Sequence, residues 1–276
     1  MRDFVHPTAI VAAEAELGEG VHVGPFAVID AHVRLGRGVH VGPHAWITGE
    51  TVIGEGSKIH KGAVLGHEPQ DLAFEQGTRS RLEIGRNVVI REHATLHRAT
   101  TADGATIVGD DCFLMANSHV AHDCVLGKGV IVCNNALLAG YVQVGDRAFI
   151  SGNVCVHQFA RIGAVCMIGG GSEVGRDVPP FTTVTGRSRI TGLNVIGMRR
   201  AGLGAEERLA VKTAYKLIFS EVGGADAALA RLEEAPEADS VRYIREFYAA
   251  RSRRGFVLPD RPWAAGAPSR GREGSE

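Results

Sequence analysis

Branched aliphatic side chains recur along this chain at a period of six. Stepping from Val5 gives Val5, Val11, Leu17, Val23, Ile29, Leu35, Val41, Ile47, Ile53, Ile59 and Leu65 without an exception. The rule breaks across 67–80, resumes one residue out of phase at Ile84, Ile90 and Leu96, and breaks again across 98–107. It then runs from Val108 through Leu114, Val120, Leu126, Val132, Leu138, Val144, Ile150, Val156, Ile162 and Ile168 to Val174. Neither the helix period of 3.6 nor strand alternation places one obligatory aliphatic at every sixth position. A triangular solenoid does, with three short strands per coil and one inward aliphatic on each side.

The polar and small positions agree. Gly18, Gly24, Gly36, Gly127 and Gly145 directly follow inward aliphatics, and Ala27, Ala45, Ser57 and Ala63 stand two places before the next one. Both patterns suit tight corners, where a large side chain would clash. Three six-residue sides make an eighteen-residue coil, with stacked strands about 4.8 Å apart. The interruptions at 67–80 and 98–107 are expected to be loops thrown out from the prism, and long loops on a rigid scaffold are usually functional.

After Val178-Pro179-Pro180 the period is lost and the text turns helical. Runs rich in Ala, Leu, Lys and Glu at 205–219, 226–234 and 240–250 predict a small helical C-terminal domain. The expected organisation is a solenoid over 1–192, a helical domain over 193–258 and a disordered tail over 259–276, the last for its Pro, Gly and charge content.

Composition narrows the function. A formal charge of −1 argues against nucleic-acid binding, which needs a concentrated basic field. The five cysteines form no CxxC pair, and the N-terminus lacks a basic start followed by an apolar run, so a reduced, cytoplasmic protein is expected. No apolar stretch approaches the roughly 18 residues that span a bilayer. The absence of a Walker loop, and of a dinucleotide fingerprint in a βαβ setting, implies no cofactor.

Several segments carry a resemblance: Phe4–Ala9 (FVHPTA), Pro69–Leu72 (PQDL), Ile90–Glu92 (IRE), His97-Arg98, His119–Cys124 (HVAHDC), Asn134–Ala136 (NNA), Leu138–Gly140 (LAG), Val156–Phe159 (VHQF), Asp177–Pro180 (DVPP) and Gly192–Asn194 (GLN). Over nearly its whole length the chain resembles the hexapeptide-repeat acyltransferases, and within them the UDP-N-acetylglucosamine acyltransferases of lipid A biosynthesis. The fold this implies is an all-β left-handed parallel β-helix followed by a small α-helical C-terminal domain. The implied assembly is a homotrimer with active sites between neighbouring prisms. The implied reaction moves a 3-hydroxyacyl group from acyl carrier protein to the 3-hydroxyl of UDP-N-acetylglucosamine.

Such a transfer needs a base for the attacking hydroxyl and a donor for the charge on the thioester oxygen. With Val120 inward, His122 falls at the next corner and His119 on the other side of Val120. The resemblance makes His122 the general base, with Asp123 available to set its tautomer. Gly140, eighteen residues beyond His122, should lie one coil above it and offer a bare backbone N–H as the oxyanion donor. The resemblance further implies substrate contacts at Asp71, Leu72, His119, His157, Gln158, Asn194 and Arg200, and acyl-length control at Met167 and Gly170. Arg199-Arg200 are expected just past a helix, as partners for the diphosphate.

The family pattern is broken at Tyr141, Ala73 and Ala99, where histidine, lysine and glycine are common. Four readings compete with this one. An N-acyltransferase of the same pathway carries an extra uridine-binding domain before the coil, for which hexads starting at Val5 leave no room. A zinc hydratase needs converging histidines, and His119, His122 and His157 do not repeat on matching corners, so no metal site is expected. The remaining alternatives are a transferase for a different amino-sugar nucleotide and a non-catalytic solenoid scaffold.

Overall fold

Most hexads form a strand of two residues, the second pointing inward, and then turn. His119–Val120, Val125–Leu126 and Ile131–Val132 are three such strands in succession, one on each face of the prism. The computed structural model describes residues 4–220, 223–259 and 263, and among these the strands assemble into sheets of eleven, nine and eight. Face one carries Val23, Val132 and Ile168, face two carries Ile29, Val120 and Leu138, and face three carries Leu35, Leu126 and Val144. Pairing within the coil is parallel, and the chain is a left-handed parallel β-helix.

The inward ladder forms the core: Val23, Ile47, Val132 and Ile168 are fully buried. Val5 and Leu17 are 43% and 36% exposed, because they lie in the outermost coil of the described residues. Ala27, Ala45, Ser57 and Ala63 are fully buried inside corners, where there is no room for more. A methyl added at Gly18 would lie 2.8 Å from the Arg37 nitrogen of the next coil, so the corner glycines are set by coil-to-coil approach. The left-handed backbone falls two residues later, on side chains such as Asn117, Asp123, Asn135 and Tyr141. Leu126 is 1% exposed in this stack, and Leu126→Ala is expected to cost roughly 2–5 kcal/mol, as large-to-small core changes do. Lys128→Ala, at an exposed position on the same turn, should leave the denaturation midpoint close to wild type. Equal shifts in urea melts would contradict the register.

Two interruptions set the site. The first loop occupies 68–80, between strands Val64–His67 and Arg81–Ile84. The second is shorter than expected: residues 105–107 belong to strand Ala105–Val108, which pairs along its length with Arg81–Ile84. The loop at 98–104 therefore stretches one coil, so that Val120 stacks on Leu96, twenty-four residues back, where Leu138 stacks on Val120 at eighteen.

The top of the prism is closed by an antiparallel hairpin, Thr182–Thr185 with Arg189–Leu193, and then by helices. Helices α2 (Ala205–Ile218), α3 (Ala225–Leu232) and α4 (Asp239–Ala249) lie close to the predicted runs; α1 (Val195–Arg200) lies outside those runs and extends through the arginines expected just past a helix. It has six residues, includes Gly197 and lacks an acidic first turn, so it carries little helical signal. Helix α2 buries Ala210, Val211, Ala214, Tyr215 and Ile218, and the Tyr215 hydroxyl donates to Pro180 O at 2.7 Å. One hydrophobic cluster runs from the lower coils to Val257, so the helices extend the core of the coil.

Of the expected disordered tail, Pro259 bridges to Ile190, and Trp263 packs its ring 5.1 Å from the Phe219 ring while its backbone N–H donates to Phe219 O. An aromatic of that size buries enough area to be held despite its neighbours' composition. The remainder of 259–276 lies outside the described residues.

Candidate active site

The corner between faces two and three stacks two columns. His122, Gly140 and Gln158 occupy one, and the left-handed residues Asp123, Tyr141 and Phe159 (φ of 58°, 62° and 66°) the other. Tyr141 N donates to His122 O and Phe159 N to Gly140 O, which locks successive coils in register. His122 is only 8% exposed. Its ring lies against Gly140, where an added methyl would stand 2.4 Å from Cε1 and 2.6 Å from Nε2. Only glycine leaves the imidazole this position. The Gly140 N–H donates to no group among the described residues.

Asp123 accepts from His122 Nδ1 at 2.9 Å. The same carboxylate oxygen accepts from the Thr100 backbone N–H at 3.1 Å and the Thr100 hydroxyl at 2.7 Å. Burial pushes the Asp123 carboxyl up, but the bonds from His122 and Thr100 outweigh it and hold it below the usual carboxylate value. Asp123 is therefore ionised at neutral pH, Nδ1 carries the proton, and Nε2 is the basic nitrogen. His119, on the outer side of face two, pairs its Nδ1 with Thr95 Oγ1 at 2.7 Å. Burial and then the neighbouring His122 lower its pKa, against the opposing bond from Thr95. His97 stands edge-on to His119 at 4.9 Å, and burial followed by the surrounding imidazoles lowers its pKa to about 4, so it is neutral here.

The other expected site residues are spread more widely. His157 and Gln158 are exposed on the upper part of the same corner, with His157 Nδ1 donating to Gln158 O at 3.0 Å. Asp71 closes a turn of the first loop by accepting from Ala73 N, and Leu72 projects fully into solvent. Arg98 ties that loop down, reaching Gly66 O and Glu68 and lying over the Phe74 ring. Asn194 serves the fold: its Oδ1 caps α1 at Gly197 N and its Nδ2 donates to Val165 O, which leaves one N–H and one lone pair of the amide to a substrate. Arg199 and Arg200 are in the last turn of α1 and not past it. That helix end rests on Arg147, a residue of the corner between faces three and one, which places Arg200 off the His122 corner of its own chain. Met167 tops an outward column of Phe113, Ile131 and Phe149 on face one, and Gly170 is exposed at the next corner.

Sequence reading missed Thr95, Thr100, Thr106 and the hydroxyl of Tyr141. Thr106 Oγ1 accepts from Asp123 N at 2.8 Å, and Thr100 Oγ1 lies 2.9 Å from the Tyr141 hydroxyl. An eighteen-residue lattice does not pair Thr95 with His119 or Thr100 with Asp123; the longer spacing across the second loop does. Among the described residues no group of three His, Cys, Asp or Glu is arranged to hold a metal ion, and no helix is long and apolar enough to cross a membrane.

Comparison with known proteins gives a consistent assignment. Residues 177–257 match the family described as UDP-N-acetylglucosamine O-acyltransferase, domain 2, and residues 14–49 and 105–140 match the bacterial transferase hexapeptide repeats. A protein of Alkalilimnicola ehrlichii named acyl-(acyl-carrier-protein)-UDP-N-acetylglucosamine O-acyltransferase is 51% identical over 256 residues, 92% of this chain and 98% of its own. A protein of the same name from Thiobacillus denitrificans is 47% identical over 257 residues, 92% of this chain and 98% of its own. Among solved structures, the UDP-N-acetylglucosamine acyltransferase of Bacteroides fragilis superposes with a TM-score of 0.86 at 39% identity, covering 92% of this chain and all of that one. That of Francisella novicida gives 0.88 at 33%, covering 92% and 94%. By motifs, coil, C-terminal helices and relatives alike, the chain belongs to the UDP-N-acetylglucosamine O-acyltransferase family.

Proposed function

We propose that this chain transfers a 3-hydroxyacyl group from acyl carrier protein to the 3-hydroxyl of UDP-N-acetylglucosamine, the first step of lipid A synthesis, in the cytoplasm. The observation that carries the mechanism is the Asp123–His122–Gly140 arrangement. Asp123 holds the Nδ1 proton, so Nε2 takes the proton of the sugar hydroxyl as its oxygen attacks the thioester carbonyl. The negative charge on the carbonyl oxygen is received by the Gly140 N–H. Collapse of the tetrahedral intermediate breaks the carbon–sulfur bond, and the His122 imidazolium returns its proton to the leaving thiolate. The products are the 3-O-acyl sugar nucleotide and the free carrier thiol.

Asp71, Leu72, His119, His157 and Gln158 bind the substrates in this reading, and Arg200 meets a diphosphate at a neighbouring protomer's site. The acyl chain leaves His122 across the outer side of face two, where Leu137 is 44% exposed and Cys155 is open, toward Gly170. A second protomer covers that surface in a homotrimer. The test is turnover of purified protein with UDP-N-acetylglucosamine and 3-hydroxyacyl carrier proteins of graded length. No product with any of them would leave a scaffold role, and product only with another amino-sugar nucleotide would move the substrate assignment.

Chain length follows from the end of that groove. A methyl at Gly170 would meet nothing closer than Gly152 O at 3.5 Å, and its φ is not in the left-handed region, so a larger side chain fits without strain. Wild-type protein is expected to accept a long donor, with Met167 as the adjustable wall. Gly170→Met should shift preference toward shorter donors by at least about tenfold, because each methylene excluded from an apolar groove is worth about 0.8 kcal/mol and the new side chain blocks two or more. Unchanged selectivity across the graded series would show that the groove ends elsewhere.

A further inference from the structure

We propose that Thr100 and Tyr141 are positioning residues of the acyl transfer, forming a hydroxyl relay that holds Asp123, and through it His122, in the reactive arrangement. The inference rests on the transferase reading above and extends it to two residues that do not touch the imidazole nitrogens.

The direction of the relay follows from counting hydrogens. Asp123 Oδ2 is an ionised acceptor at 2.7 Å from Thr100 Oγ1, so the single hydroxyl hydrogen of Thr100 goes to the carboxylate. Thr100 Oγ1 is then left with lone pairs only, and the Tyr141 hydroxyl at 2.9 Å must donate to it. The chain of donation runs from Tyr141 to Thr100 to Asp123, and His122 Nδ1 donates to the same Oδ2 from the other side. Each donor favours the ionised carboxylate, and bonds in series polarise one another.

The two ends are anchored independently. Thr100 comes from the loop at 98–104 and also donates its backbone N–H to Oδ2. Tyr141 sits one coil above Asp123, stacks on Phe159 at 4.8 Å with the rings 20° from parallel, and meets the His122 ring edge-on at 5.3 Å. The Arg253 guanidinium lies 4.6 Å from the Phe159 ring centre. The phenol oxygen is therefore placed by a packed column and not by solvent. Without the relay the Asp123 carboxylate keeps only the Thr100 backbone N–H beside His122, turns more readily about its last torsion, and holds the imidazole in the Nδ1–H tautomer less firmly. The base would then carry its proton on the wrong nitrogen part of the time.

The test is steady-state kinetics of folded variants with UDP-N-acetylglucosamine and a 3-hydroxyacyl carrier protein. Thr100→Val, which keeps shape and removes the donor, should lower kcat about tenfold, the worth of one hydrogen bond to a charged group, with both KM values within about twofold of wild type. Thr100→Ser should restore kcat. Tyr141→Phe, which keeps the stacking ring, should lower kcat about threefold, as loss of a neutral hydrogen bond does. Because Tyr141 acts through Thr100, the double variant should be no slower than Thr100→Val alone. Wild-type kcat in Thr100→Val, equal impairment of the Val and Ser variants, or effects that multiply in the double variant would each overturn the relay. Should Thr100→Val fail to fold, Tyr141→Phe decides alone, since wild-type kcat there removes the far end of the relay. A wild-type chain without turnover would instead overturn the transferase reading, and the relay with it.

Discussion

His122→Ala is expected to lower turnover by about 10²–10⁴-fold, the contribution of a positioned general base, while the protein stays folded. The ring projects outward from the coil, and Val120 and Cys124 on either side supply the core packing, so its removal opens no aliphatic cavity. The Asp123 carboxylate left behind keeps both bonds from Thr100 and is not stranded as an unpaired charge. Thermal melts close to wild type together with collapsed kcat for UDP-N-acetylglucosamine would fit this account. Near wild-type turnover would mean that another group takes the proton, and His119, whose free nitrogen is its Nε2, would be next in line.

Gly140→Ala should be almost as damaging for a different reason. The new methyl would stand 2.4 Å from His122 Cε1, well inside van der Waals contact, and the cheapest relief is to swing the imidazole aside. A side chain can move where a backbone cannot, so the coil should survive and the cost should appear in catalysis. A displacement of about 1 Å at the reacting atoms costs about 10²-fold in rate. The measurement is kcat beside the melting midpoint. Loss of kcat with an unchanged midpoint supports the contact between base and oxyanion donor, whereas full activity would show that the ring is not used where it lies.

The coil was legible in the sequence because its cause is local and repeated. Each inward site needs one aliphatic, the next follows six residues on, and Val108 to Val174 repeats the demand without interruption, so the pattern is printed directly in the text. The same periodicity placed His122 and Gly140 on one corner, since both follow Val120 and Leu138 by two residues. What it did not disclose depends on breaks in the period. The loop at 98–104 lengthens one coil, so Thr100 meets Asp123 across twenty-three residues and Tyr141 across forty-one, spacings that no fixed repeat would pair.

The extent of the short helix α1 and the docking of Trp263 were hidden for a related reason. Neither has a strong local preference, and both are held by distant partners, Val165 O for the cap at Asn194 and the Phe219 ring for the indole. Arg200 shows the limit from the other side. Its charge marked it as a phosphate ligand, but only the packing of α1 against Arg147 reveals that it stands off the corner occupied by its own chain's His122. Period and composition are properties of the chain taken in order, and they decided the coil, its core and the corner that bears His122 and Gly140. Hydrogen-bond partners across an irregular turn are properties of the folded object, and only folding decided which hydroxyls would reach Asp123.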